Sequence, residues 1–186
     1  DGPDSGEKRV HKKRVIPYVE DRRNILVVHL DRALPQDQAL TLMYALERGI
    51  EATFELEDAE LTSELLPPES GDRDRMLFTE AAEGGAGVLR RLQVERDALA
   101  RAARTALRIC HIDPEDGTDT GKACARGCYD CLLTYHNQAH HQQIDRRLVR
   151  DLLLRLADAQ TLPTGEGVSR TEQMDTLQFR CETQLE

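Results

Sequence analysis

The sequence predicts an α+β domain, in which a small, mostly antiparallel sheet from the first half is packed by a long helix and by a helical C-terminal part. Three observations carry this prediction. Short β-rich runs lie at residues 15–19, 25–30 and 76–81. A helical period with a buried stripe of Leu89, Leu92, Leu99, Ala103, Ala106 and Leu107 spans residues 88–110. Four of the five cysteines crowd into residues 110–131, between that helix and two shorter helical stretches.

The composition narrows the class. Of 186 residues, 39% are hydrophobic, 32% charged and 4% aromatic. The longest apolar stretches, ILVVHL and LLLRLA, fall far short of the roughly 20 residues a spanning helix needs, so no membrane partner is expected. No basic, apolar, small-residue leader opens the sequence, and five cysteines are too few for a disulfide-stapled scaffold. The expected location is cytoplasmic. A net charge of −9 restricts any nucleic-acid contact to a local surface.

The elements follow in order. Residues 1–14 read as a flexible basic arm, in which Lys8, Arg9, Lys12, Lys13 and Arg14 form a weak candidate for phosphate contact. Residues 15–19 and 25–30 look like a hairpin around the polar EDRRN, with Pro17 confining the first run to an edge. Pro35 suits the first turn of an amphipathic helix that ends near Gly49. The stretch from Ala52 to Pro67 alternates at first and reads as strand, then turn or short helix. A loop, PPESGDRDR, leads to the strand MLFTEA, and EGGAG then turns the chain into the long helix, with Gly84, Gly85 and Gly87 as its structural turn. Backbone N–H groups there suit an anion, but Glu80 and Glu83 crowd the place with negative charge, so a packing role is preferred. Further helices are expected over residues 129–136 and 145–157. The domain proper covers 15–158, and 159–186 is a polar tail in which Cys181 is a bystander.

Cys110, Cys124, Cys128 and Cys131 carry the chemistry. Thiolates three or four positions apart converge on one side of a turn, and four of them close a tetrahedron around Zn²⁺. His111 and His136 are substitutes for one cysteine, because imidazole is an equally good ligand. Four thiolates also suit an Fe–S cluster, although no redox partner site accompanies them. A full protein ligand set leaves no position for water, so the zinc would be structural, giving a zinc-pinned helical C-terminal part. GTDTGKA is one residue short of a phosphate-binding loop, and Asp113, Glu115, Asp116 and Asp119 lack the spacing of a calcium loop. His136, His140 and His141 allow a metal-dependent nuclease as an alternative.

The order LFTEAAEGGAGVLRRL, ALRICHID and CARGCYDCLLTYHNQAHHQQIDRRLV resembles the four-cysteine zinc-binding domain at the C-terminal end of large superfamily-two DNA helicases of the mitomycin repair factor A type, including components of DISARM-type phage defence. The resemblance covers about residues 25–156. It implies that Cys110, Cys124, Cys128 and Cys131 hold zinc and that the glycine turn belongs to the shared core. The expected partners are helicase motor domains in cis or in trans, with DNA as a further candidate. No phosphate-binding loop, magnesium-holding motif or arginine finger is present, so this chain alone is expected neither to hydrolyse ATP nor to unwind DNA. The expected function is a non-catalytic, zinc-stabilised accessory domain in DNA repair or phage defence. It would engage nucleic acid or dock a partner, and a pure protein-docking module is the further alternative.

Overall fold

The computed structural model describes residues 16–18, 20–57, 59–67, 73–81 and 85–163. The expected basic arm, Gly84 and residues 164–186 lie outside them. Strand β1 (Ile25–Leu34) is followed by helix α1 (Gln36–Phe54), strands β2 (Leu61–Leu65) and β3 (Arg73–Glu80), and helices α2 (Val88–Val94), α3 (Ala98–Ile109) and α4 (Arg150–Ala157). The α+β class stands, with a three-stranded antiparallel sheet in the order β1-β3-β2.

Register follows from alternation. Leu26 faces Phe78 and Val28 faces Met76 across the β1–β3 ladder, while Leu61 faces Glu80 and Leu65 faces Met76 across β2–β3. One sheet face is thereby largely apolar, with Glu80 and Ser63 among its polar members, and it packs on α1. Of the run expected to form a hairpin with β1, the described residues 16–18 form no strand, and β1 pairs with β3.

Helix α1 has polar ends but a middle buried almost all round, because it lies between the sheet and α3. Gly49 does not end this helix. It sits inside it, where a Cβ would fall 2.4 Å from the Ala102 carbonyl oxygen, so the missing side chain brings two helix backbones together. Thr53 donates to Thr105 at 2.9 Å one turn further on. The helix closes at Glu55 in the left-handed region (φ 55°), which moves the expected order of strand then helix to helix then strand.

The predicted long helix is broken. Glu95 turns extended (φ −80°, ψ 125°) between α2 and α3. Its carboxylate accepts from Arg91 and Arg101, both at 2.6 Å, so the break strands no charge. α4 packs against α3. Among the described residues no helix is long and apolar enough to cross a membrane.

Candidate metal centre

The end of α3 decides which side chain reaches the cysteine loop. The Ile112 N–H donates to the Leu107 carbonyl at 2.9 Å and the His111 N–H to that of Arg108 at 3.0 Å. This paired pattern is a Schellman closure, with His111 in the left-handed position (φ 57°) that glycine usually takes. A non-glycine residue there is strained and is held by its surroundings. Cys110, still on the helix, is fully buried in the core, and the reversal carries the His111 ring to the thiols.

The second arm is a turn rather than the helix expected over 129–136. Cys128 N–H donates to Cys131 Sγ at 3.0 Å, and the Cys131 and Leu133 N–H groups return to the Cys128 carbonyl at 3.1 and 3.0 Å. Short 3₁₀ turns follow at Gln138–His140 and Arg146–Val149, the latter leading into α4.

Together these arms gather one donor atom each from His111, Cys124, Cys128 and Cys131, all within 4.8 Å of one another. Of the expected set, Cys124, Cys128 and Cys131 belong to this group, and His111 rather than Cys110 is its fourth member. The separations test the fit. A tetrahedral zinc, with Zn–S about 2.3 Å and Zn–N about 2.0–2.1 Å, holds its sulfurs about 3.8 Å apart and a sulfur about 3.5 Å from an imidazole nitrogen. Cys124 Sγ lies 3.8 Å from Cys131 Sγ, Cys128 Sγ lies 3.5 Å from Cys131 Sγ, and His111 Nε2 lies 3.3 Å from Cys128 Sγ. These three of the six separations match the edges of a zinc tetrahedron, and the others lie within 4.8 Å.

Charge makes the same point. Burial raises the Cys131 thiol well above its ordinary range. Burial also acts upward on Cys128, but hydrogen bonds from His111, Cys131, Cys124 and the main chain at Asp130 outweigh it and hold that thiol low. Adjacent thiols resist shared ionisation, and a dication removes that resistance. Cys110 is likewise pushed up to about 12 by burial, with Cys131, Cys124 and Cys128 adding to the rise.

A group not foreseen from the sequence braces the loop. Arg146 is 1% exposed. It donates to the Cys124 carbonyl at 2.9 Å, the Cys110 carbonyl at 3.1 Å, the Gly121 carbonyl at 3.3 Å and the Asp119 carboxylate at 2.9 Å. That last hydrogen bond is the largest influence holding the Asp119 carboxyl below its ordinary range. The acids of the connecting loop serve the backbone: Asp113, Asp116 and Asp119 accept from the N–H groups of Glu115, Thr118 and Gly121, each at 2.8 Å. The signal available in sequence was an arginine between the apolar Ile144 and Val149, which periodicity alone does not distinguish from a surface residue.

The other expected site residues divide. Gly85 and Gly87 both have positive φ, 68° and 75°, and form the turn before α2. A Cβ on Gly85 would collide with the Glu80 carboxylate. Glu80 itself occupies the anion position at the start of α2, accepting from the N–H groups of Leu89 at 3.0 Å and Gly87 at 3.3 Å and from Asn24 at 2.9 Å. His136, His140 and His141 are not gathered into a ligand group among the described residues. His140 Nδ1 pairs with the Tyr44 hydroxyl at 2.8 Å, and His141 Nε2 with the Thr134 carbonyl and Asn137.

Comparison with known proteins bears on the same stretch. No curated protein matches the chain, and no solved structure matches it. Residues 42–132 match the family model of the MrfA Zn-binding domain, a narrower span than the resemblance read from the sequence but one that contains the whole His111–Cys131 group. This stretch is therefore similar to the MrfA Zn-binding domain family, and its His111, Cys124, Cys128 and Cys131 group supports structural zinc as the cofactor.

Proposed function

We propose that the chain is a non-catalytic, zinc-stabilised accessory module of a superfamily-two DNA helicase, working in DNA repair or phage defence beside a motor supplied in cis or in trans. His111, Cys124, Cys128 and Cys131 are the proposed zinc ligands. The observation that carries this reading is the four-donor set: filled by protein side chains, it leaves no coordination position for water and so suits a structural ion. The module engages nucleic acid and leaves ATP hydrolysis and unwinding to the motor. The commitment of His140 and His141 to hydrogen bonds speaks against nuclease chemistry at that cluster.

Protein docking is a second reading, favoured by one observation. Ile25 and Val27 are 60% and 46% exposed on β1, an edge strand. The test is forked-DNA unwinding by a helicase of this class lacking its own zinc domain, with and without this chain. Restored unwinding with one zinc per chain supports the accessory role. Full zinc content with no effect on binding or unwinding counts against it.

A further inference from the structure

We propose that the lobe built around the metal centre binds single-stranded DNA, with Tyr129 and Tyr135 as the surfaces on which bases stack. This rests on the accessory reading above and names the ligand of that module. Tyr129 is 68% exposed and Tyr135 is 78% exposed. These are two of only four tyrosines in a chain without tryptophan, six positions apart.

A relay of contacts runs between the two rings. Tyr129 meets His141 edge-on at 5.8 Å between centroids, and His141 Nε2 lies 3.0 Å from the carbonyl of Thr134, the neighbour of Tyr135. Tyr135 meets the exposed His136 at 5.9 Å. Arg126 donates to the Gln142 carbonyl at 2.8 Å, beside His141. Residues 121–150 expose Lys122, Arg126 and Arg147, while Arg146 is buried and bound to Asp119 and Arg150 pairs with Asp151. Asp145 is buried and already shared by Arg126 and Arg147, at 3.5 and 2.7 Å, while both arginine side chains remain more than half exposed. Asp130 is the one exposed acid of the stretch.

Cations that track a backbone, interleaved with free aromatic faces, are the arrangement that holds single strands, because every base presents a π-face. A duplex keeps its bases stacked internally and offers such rings little.

The test uses the full zinc-loaded chain and a fluorescent oligo(dT), with a blunt duplex and oligo(rU) of equal length beside it. Tyr129→Ala and Tyr135→Ala are expected to weaken oligo(dT) binding about tenfold each, while the Phe variants stay near wild type because the ring face is kept. Arg126→Gln and Arg147→Gln are expected to flatten the dependence of log Kd on log salt by about 0.7 for each phosphate left without its cation. Equal oligo(dT) binding by the Ala variants, tighter binding of duplex, or tighter binding of oligo(rU) overturns the proposal. Zinc content is measured in every sample. A zinc-loaded chain indifferent to the tyrosine changes sinks this inference alone, whereas a folded chain that takes up no zinc sinks the reading beneath it.

Discussion

The Nε of Arg146 donates to the main-chain carbonyl of Cys124 at 2.9 Å, so a buried guanidinium fixes the backbone that presents a proposed zinc ligand. Its other N–H groups reach Cys110, Gly121 and Asp119. Arg146→Gln leaves several buried carbonyls unpaired, at roughly 1–3 kcal/mol each, so a total loss of about 3–5 kcal/mol is expected. Arg146→Lys recovers only part, because one ammonium cannot span the same fork. Urea midpoints measure the stability, and transfer of zinc to a chromophoric chelator measures the looseness of the loop.

The neighbouring pair Cys110 and His111 separates the two possible ligand sets. His111→Ala is expected to lower zinc affinity by a factor of about 10 or more, and Cys128→Ser likewise. Cys110→Ala keeps one zinc per chain and costs stability through a small core cavity. Metal analysis after dialysis against a weak chelator reads the difference. Loss of zinc from the Cys110 variant with retention in the His111 variant reverses the assignment. Stripping the wild-type ion is expected to lower Tm, since a ligand bound only to the folded chain stabilises it.

Glu47 and Glu80 respond to pH in opposite directions. Burial raises Glu47 to about 7, against the hydrogen bond from Ser63 and with Glu51 adding to the rise. The folded state then holds a proton that the unfolded chain releases, so this contribution to stability is present below about pH 4.5 and is lost as pH rises through about 7. Its ceiling is about 3 kcal/mol. Glu47→Gln is expected to raise Tm at about pH 8 and to converge on wild type near about pH 5.

At Glu80 burial acts upward, but Asn24 and the main-chain N–H groups of Leu89, Gly87 and Val88 outweigh it and hold the carboxyl below its ordinary range. Its stability is present above the unfolded value and is lost as pH falls through the folded one. Glu80→Ala at about pH 7 leaves the start of α2 uncapped and is expected to cost about 1–3 kcal/mol. Thermal melts between about pH 4 and 8 follow both groups.

Gly49→Ala tests the closest approach between two helices. Alanine improves helix propensity by about 1 kcal/mol. Its methyl would lie 2.4 Å from the Ala102 oxygen and 2.8 Å from the Ala106 Cβ. Overpacking of that kind costs about 1–3 kcal/mol, so a net loss is expected from denaturant titration.

Much of this was legible in the sequence because it follows from local periodicity. Strand β3, the apolar stripe of α3 and the gathering of Cys124, Cys128 and Cys131 are all short-range patterns. What escaped depends on packing across the chain. Gly49 reads as a helix end because local rules assign glycine that role, whereas Ala102 requires it in mid-helix. The break at Glu95 keeps helical composition on both sides, and Glu95 pairs there with Arg91 and Arg101. Cys110 and His111 are adjacent, and only the handedness of the helix end decides which one turns toward the thiols.

Arg146 and α4 follow residue 132, where the family match stops. A boundary drawn by homology therefore cuts through a cooperative unit. A polypeptide truncated there keeps every proposed zinc ligand but leaves the carbonyls of Cys110, Gly121 and Cys124 without their donor. Grafts and expression fragments that are to retain the ion should run through Ala157, because the latch that shapes the metal loop is carried on the segment downstream of the recognisable motif.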